Sequence, residues 1–244
     1  MKNKVNYILL FALSILFVSC AYDNYDAPKS TLHGSIMYKG DTINVERSNG
    51  DINNATVYFE LWEPGWQKQA AIRVMVNQDG TFNTLLFNAN YKLVIPKGQG
   101  PFMSLTNAET NSDTIPVRIT GNKTMNIEVL PFYMIRNPLF SASGRTVSAS
   151  CQLEQIIKDA NARNIERVTL YISKTSFADG QTNIVKQDLS GSAITDLANV
   201  NLNVNVPTFA SLNLPDQNYV FARIGLKIQN TDDMIFTSAR KIKL

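Results

Sequence analysis

From Thr31 onward, apolar and polar residues alternate with a period of two rather than 3.6, which predicts strands with one buried face. Ala55, Val57, Phe59 and Leu61 alternate with Thr56, Tyr58 and Glu60, and Ile72, Val74 and Val76 alternate around Arg73 and Met75. Asp79-Gly80 is a strong turn dipeptide, so residues 70–87 predict a hairpin. Strands follow at 89–95 and 114–119, and Gly121-Asn122 then turns into 125–130 as a second predicted hairpin. Residues 96–101 and 107–113, rich in Gly, Pro, Asn and Thr, read as loops.

The alternation breaks at 131–143, where Pro131 and Pro138 flank a short aromatic segment, and a domain boundary is placed there. Beyond it, Val147, Ala149, Cys151 and Leu153 share one strand face. Further strands are predicted at 165–172, 182–189, 200–206, 219–228 and 234–244. Val220, Ala222, Ile224, Leu226 and Ile228 form the cleanest half-buried pattern, and only 153–162 has the spacing of a short helix. Short strands every ten residues or so predict an all-β chain of two β-sandwich domains, at 31–136 and 137–244. No internal repeat of 20–50 residues is visible.

Residues 1–30 carry an address. Lys2 and Lys4 precede an apolar run over 8–18 that is interrupted only by Ser14. At about 1.5 Å per residue it covers roughly half of a ~30 Å hydrocarbon core, so it predicts a secretory signal over 1–19 rather than a membrane span. Its end, Phe17-Val18-Ser19-Cys20, resembles the bacterial lipoprotein signal. That resemblance implies diacylglycerylation of the Cys20 thiol, cleavage before it and acylation of the new amine. The alternative is an ordinary secreted protein cut near a free cysteine. Two or three acyl chains hold a protein stably on a membrane, whereas one does so marginally. Residues 20–30 then form a lipidated cysteine and a short polar tether whose acids, Asp23 and Asp26, resemble the surface-export signal of Bacteroidetes lipoproteins.

Composition narrows the chemistry. With 44% hydrophobic residues in 244, wholesale disorder is excluded. Lys and Arg exceed Asp and Glu by 23 to 20, and without Lys2 and Lys4 the excess is one, which gives no electrostatic footprint for nucleic acid. His33 is the sole histidine, so multi-histidine metal sites cannot form and a nucleophilic triad would rest on that one residue. His33 itself reads as a satisfied strand or rim residue, and Cys151 as a buried inert thiol. No disulfide framework exists, so core burial must hold the fold. Gly98-Gln-Gly100 lacks the third glycine of a dinucleotide loop, and no P-loop occurs. Ser238 and Lys241 match an S-x-x-K spacing, but in a strand an offset of three sends them to opposite faces. Paired carboxylates of glycosidase type can arise by chance among 20 acids, yet two small sandwiches seldom supply the cleft they need. No catalytic residue, metal or cofactor is assigned.

The aromatic residues say more. If Val57, Phe59 and Leu61 face the core, then Tyr58, Glu60 and Trp62 face away. Trp62-Glu-Pro-Gly-Trp66 then places two indoles at one end of a sheet, with Gln67 and Gln69 nearby. Sugar C–H faces stack on indoles while amides bond hydroxyls, so Trp62 and Trp66 are candidate carbohydrate contacts. The same rings could instead cover a strand edge, pack on the second domain or dock a partner protein. Phe102, placed after the Gly98–Pro101 loop, is a further candidate contact.

Asp23-Asn-Tyr-Asp-Ala-Pro28, Leu32-His-Gly-Ser-Ile36, Gln78-Asp-Gly-Thr-Phe82, Asn90-Tyr-Lys-Leu-Val94, Gly98-Gln-Gly-Pro-Phe102, Asp113-Thr114 and Leu130-Pro-Phe-Tyr133 occur in the order of a Bacteroidetes lipoprotein family. It is catalogued as a domain of unknown function, DUF3823. Val168-Thr-Leu-Tyr171, Lys174-Thr175, Ala222-Arg-Ile-Gly-Leu226 and Ser238 are similar to that family's C-terminal partner domain. The resemblance implies an N-terminal sandwich of carboxypeptidase-regulatory, transthyretin-like type and an Ig-like second domain. It also implies a gene beside a SusC/SusD-type outer-membrane uptake pair. The expected role is then a surface-exposed outer-membrane lipoprotein that captures an oligosaccharide, or a peptide, or docks on the transporter without covalent chemistry. The alternatives are a purely structural subunit of such an importer and, less favoured, a glycoside hydrolase.

Overall fold

The computed structural model describes residues 26–47 and 57–244, so Cys20 and the signal lie outside the described residues. In the first half the strands are β1 (Ser30–Tyr38), β2 (Asp41–Thr42), β3 (Asn44–Val45), β4 (Tyr58–Trp62), β5 (Ala71–Met75), β6 (Thr81–Leu86), β7 (Asn90–Val94), β8 (Phe102–Ser104), β9 (Ile115–Arg118), β10 (Lys123–Thr124) and β11 (Ile127–Pro131). The second half adds β12 (Tyr133–Ser143), β13 (Thr146–Gln155), β14 (Ile165–Ser173), β15 (Val185–Ser190), β16 (Val200–Asn205), β17 (Tyr219–Ile228), β18 (Met234–Phe236) and β19 (Arg240–Lys243). No α-helix occurs among the described residues; 153–162, despite its helical spacing, holds none, since β13 continues to Gln155 with Leu153 paired to Ile135.

The fold is all-β, in two sandwich domains. In the first, β1 is flanked by β6 and β2 on one side and by parallel β10 and β11 on the other, with β8 beyond β11; the opposing sheet runs β5-β4-β7-β9. Phe59 of one sheet meets Phe82 of the other edge to face, with ring centroids 4.8 Å apart. In the second, β12-β13-β16 faces a sheet ordered β15-β14-β17-β18-β3, with β19 also on β17.

Neither predicted hairpin forms. Both turns exist, but each hands the chain from one sheet to the other. Asn77 and Thr81 close the first turn, after which β5 pairs with β4 and β6 pairs with β1. The cause is a long-range bond: Ile36 N–H donates to the Gly80 carbonyl, pinning the start of β6 to β1. Gly80, at φ +78°, lies so close to the Ile43 carbonyl that a Cβ could not be accommodated. At the second turn Asn122 Oδ1 accepts from the Thr31 N–H and hydroxyl, and Met125 N–H donates to the His33 carbonyl, so the chain joins β1 instead of β9. Residues 131–143 are likewise not a break. Most of them form the single strand β12, whose register shifts between Arg136 and Leu139. That shift takes up Asn137, at φ +49°, and Pro138, which has no N–H for a regular ladder.

The two sandwiches are joined by a strand and a cation. β3, from the first half of the chain, is an edge strand of the second domain's sheet, pairing Val45 with Ile235 and Asn44 with Phe236. The sequence pattern for β17 is correct on its core face, but its other face is not left to water. Arg223 is 1% exposed there. Its Nε donates to the Thr237 carbonyl at 2.9 Å, Nη2 to the carbonyls of Val45 and Gln78 at 3.2 and 3.3 Å, and Nη1 to Gln78 Oε1 at 3.3 Å. The guanidinium also lies 4.3 Å from the Phe236 ring centroid. Burial lowers its pKa to about 10, still protonated at neutral pH, with Asp179, Glu46 and Asp79 acting in the opposite direction. Arg223→Ala would strand these buried carbonyls, and a loss of about 3 kcal/mol or more is expected in chemical denaturation. A conservative Arg223→Lys, with one donor head in place of a planar fork, should recover only part of it.

Candidate functional site

Strand β4 alternates as its sequence predicts: Phe59 and Leu61 are buried, while Tyr58, Glu60 and Trp62 are half-buried on the opposite face. Cross-strand register sets Arg73 of β5 and Val94 of β7 beside Glu60, and Ala71 and Lys92 beside Trp62. A connected row results. The Arg73 guanidinium lies 4.9 Å from the Tyr58 ring centroid and 3.8 Å from Glu60 Oε1, and the Trp62 indole N–H donates to Glu60 Oε2 at 3.0 Å. Glu60 thus fixes the indole from one side and the guanidinium from the other, and the row carries aromatic faces together with hydrogen-bonding groups. The chain then turns with Gly65 at φ +104°, and Trp66 stands 57% exposed among exposed Gln67, Lys68 and Gln69. The two indoles differ in kind: Trp62 is braced on the sheet, and Trp66 is presented to solvent.

Phe102 is not the loop contact expected from its sequence position. It opens β8, pairs with Pro131 and is 4% exposed. Gly100, at φ +80°, packs so tightly over its ring that any side chain there would collide with it. Phe102 belongs instead to the wall of a cleft of about 280 Å³ between the domains, shared with Phe132, Lys97, Asp113 and Arg163. His33 is exposed on β1, with Nε2 2.8 Å from the Thr124 hydroxyl. Cys151 is a buried free thiol whose pKa desolvation pushes up to about 12. No cluster of three His, Cys, Asp or Glu side chains that could hold a metal occurs among the described residues.

Sequence reasoning found the β4 aromatics but missed Arg73 as their partner, because only register places it opposite Glu60. It also missed the buried carboxyl that ties the 96–101 loop to the second domain. Asp233, on the second domain, accepts from the Gly100 N–H at 2.7 Å and from Gln99 Nε2 at 3.3 Å, tying the 96–101 loop across the interface. Burial raises its pKa to about 7, against the lowering effect of the Gly100 hydrogen bond. A carboxyl raised on folding binds protons more tightly in the native state. Its contribution to stability is therefore greatest below about pH 4 and is lost as pH climbs to about 7. Asp233→Asn keeps an acceptor for Gly100 without the charge. Its stability relative to the wild type should rise by a few kcal/mol between those pH values and level off above them, as measured by urea unfolding across pH.

The model for the DUF3823 N-terminal domain, a protein of unknown function, matches residues 30–130, and that for the domain of unknown function DUF3823_C matches 133–241. A DUF3823 family protein from Parabacteroides merdae shares 32% identity, covering 89% of this chain and all of its own, with a TM-score of 0.74. One from Bacteroides ovatus shares 26% over the same coverage, with a TM-score of 0.72. A Bacteroides uniformis structure described as a "putative carbohydrate binding protein" has the same fold, at 15% identity and a TM-score of 0.65, covering 89% of this chain and all of its own. No curated protein matches the sequence.

Proposed function

The chain belongs to the DUF3823 family through both of its domains, and from that premise we propose that it is a non-catalytic glycan-binding lipoprotein. It works on the outer membrane, facing the cell exterior, as an accessory subunit of a SusC/SusD-type uptake complex. The observation that carries the binding reading is Trp66, an indole 57% exposed in the turn four residues after Trp62, where the braced row of Tyr58, Arg73, Glu60 and Trp62 ends. An exposed indole offers an apolar face to sugar C–H groups, and the neighbouring carboxylate, guanidinium and amides suit hydroxyls. Such a site needs no proton transfer, in keeping with a lone histidine engaged with Thr124. The membrane anchor rests on the Cys20 lipoprotein signal, and the transporter partnership on the family resemblance read from the sequence.

Trp66→Ala should weaken retention on a polysaccharide affinity gel roughly tenfold, equivalent to about 1.4 kcal/mol, without a change in melting temperature. Trp62→Ala should weaken it too, at some loss of stability. Retention unaltered in both variants would remove the β4 platform. Pull-down of the detergent-solubilised protein is expected to bring a large β-barrel and its lid lipoprotein with it. Cys20→Ala should move the protein from the membrane to the soluble fraction.

A further inference from the structure

The cleft between the domains shares no lining residue with the β4 row. It is a built cavity: β8 and the 96–101 loop form one side, Asn161, Arg163 and Thr231 of the second domain form the other, and Asp233 anchors the loop through the Gly100 N–H. Phe102 and Phe132 line its inner wall, both nearly fully buried. Over Phe132 lies the Arg163 guanidinium, 4.7 Å from the ring centroid, with Nη1 donating to the Asn230 carbonyl. Its remaining N–H groups have no partner among the described residues. Lys97 adds a second cation at the rim, and Ser104, Asn161 and Asp113 add hydroxyl, amide and carboxylate.

We propose that this cleft is a subsite for an acidic sugar, a uronic acid unit of the glycan, and the proposal rests on the glycan reading given above. About 280 Å³ lies at the small end of ligand pockets and suits a single sugar ring. Arg163 and Lys97 match its carboxylate, and Ser104 and Asn161 suit its hydroxyls. Asp113 accepts from its hydroxyls. That last group discriminates: its charge repels an inorganic anion, whereas several ring hydroxyls of a sugar can donate to it and offset the repulsion.

The test titrates the mature protein in detergent with galacturonic acid, galactose and inorganic phosphate, followed by saturation-transfer NMR and calorimetry. Galacturonic acid should bind at least roughly tenfold more tightly than galactose, with the preference shrinking as salt is added. Arg163→Gln and, because Lys97 is exposed and its loss cannot disturb the fold, Lys97→Gln should each remove most of that preference. Equal binding of the two sugars, no binding of either, or phosphate displacing galacturonic acid would overturn the proposal. Trp66→Ala separates the two readings. If it abolishes polysaccharide retention while galacturonic acid fails to bind, the cleft proposal falls and the β4 site stands. If galacturonic acid binds and Trp66→Ala changes nothing, the cleft stands and the β4 site falls.

Discussion

One buried guanidinium organises this molecule. Arg223 lies on the face of β17 that turns away from the second domain's core, and it is desolvated there because the first domain covers it. A charge in that position is tolerable only when its donors are satisfied, and the acceptors come from both sides: Thr237 from its own sheet, Val45 and Gln78 from the first half of the chain. Gly225, next along the same face, has no room for a Cβ against Phe236, Met234 and Tyr171, which lets these large side chains lie flat against the strand. The pairing of β3 with β18 places the Val45 carbonyl within reach of Nη2. Strand addition and the buried cation therefore depend on each other, and the relative placement of the domains follows from both.

That junction creates the cleft. The seam through Arg223 and a second tie through Asp233 hold loop 96–101 against the second domain, so Phe102 and Phe132 line one cleft between the domains. The two ties respond oppositely to burial. The arginine keeps its charge because its pKa starts far above neutrality, whereas the carboxyl is brought to about 7 and so lends the interface a dependence on proton concentration. The β4 row, by contrast, lies within one sheet, and its geometry is set by cross-strand register rather than by the domain junction.

The chain itself determined the strands and their buried faces. Alternation over β4, β13 and β17 fixes which side chains face the core, because a pleated strand sends successive residues to opposite sides. Turn dipeptides at Asp79-Gly80 and Gly121-Asn122 marked where the chain reverses, and the aromatic segment 58–66 marked where rings are offered to the outside. Tertiary structure alone decided the partners. A turn reverses direction without specifying which strand comes next to it, and in both cases long-range bonds to β1 (Ile36 to Gly80, Thr31 to Asn122) redirected the chain into the facing sheet. For the same reason Phe102 belongs to a strand and not a loop tip, Arg73 braces Glu60, and Arg223 is buried on a face that alternation alone assigns to solvent. Periodicity is a property of neighbours in sequence, whereas burial of a second face depends on what another part of the chain brings to it.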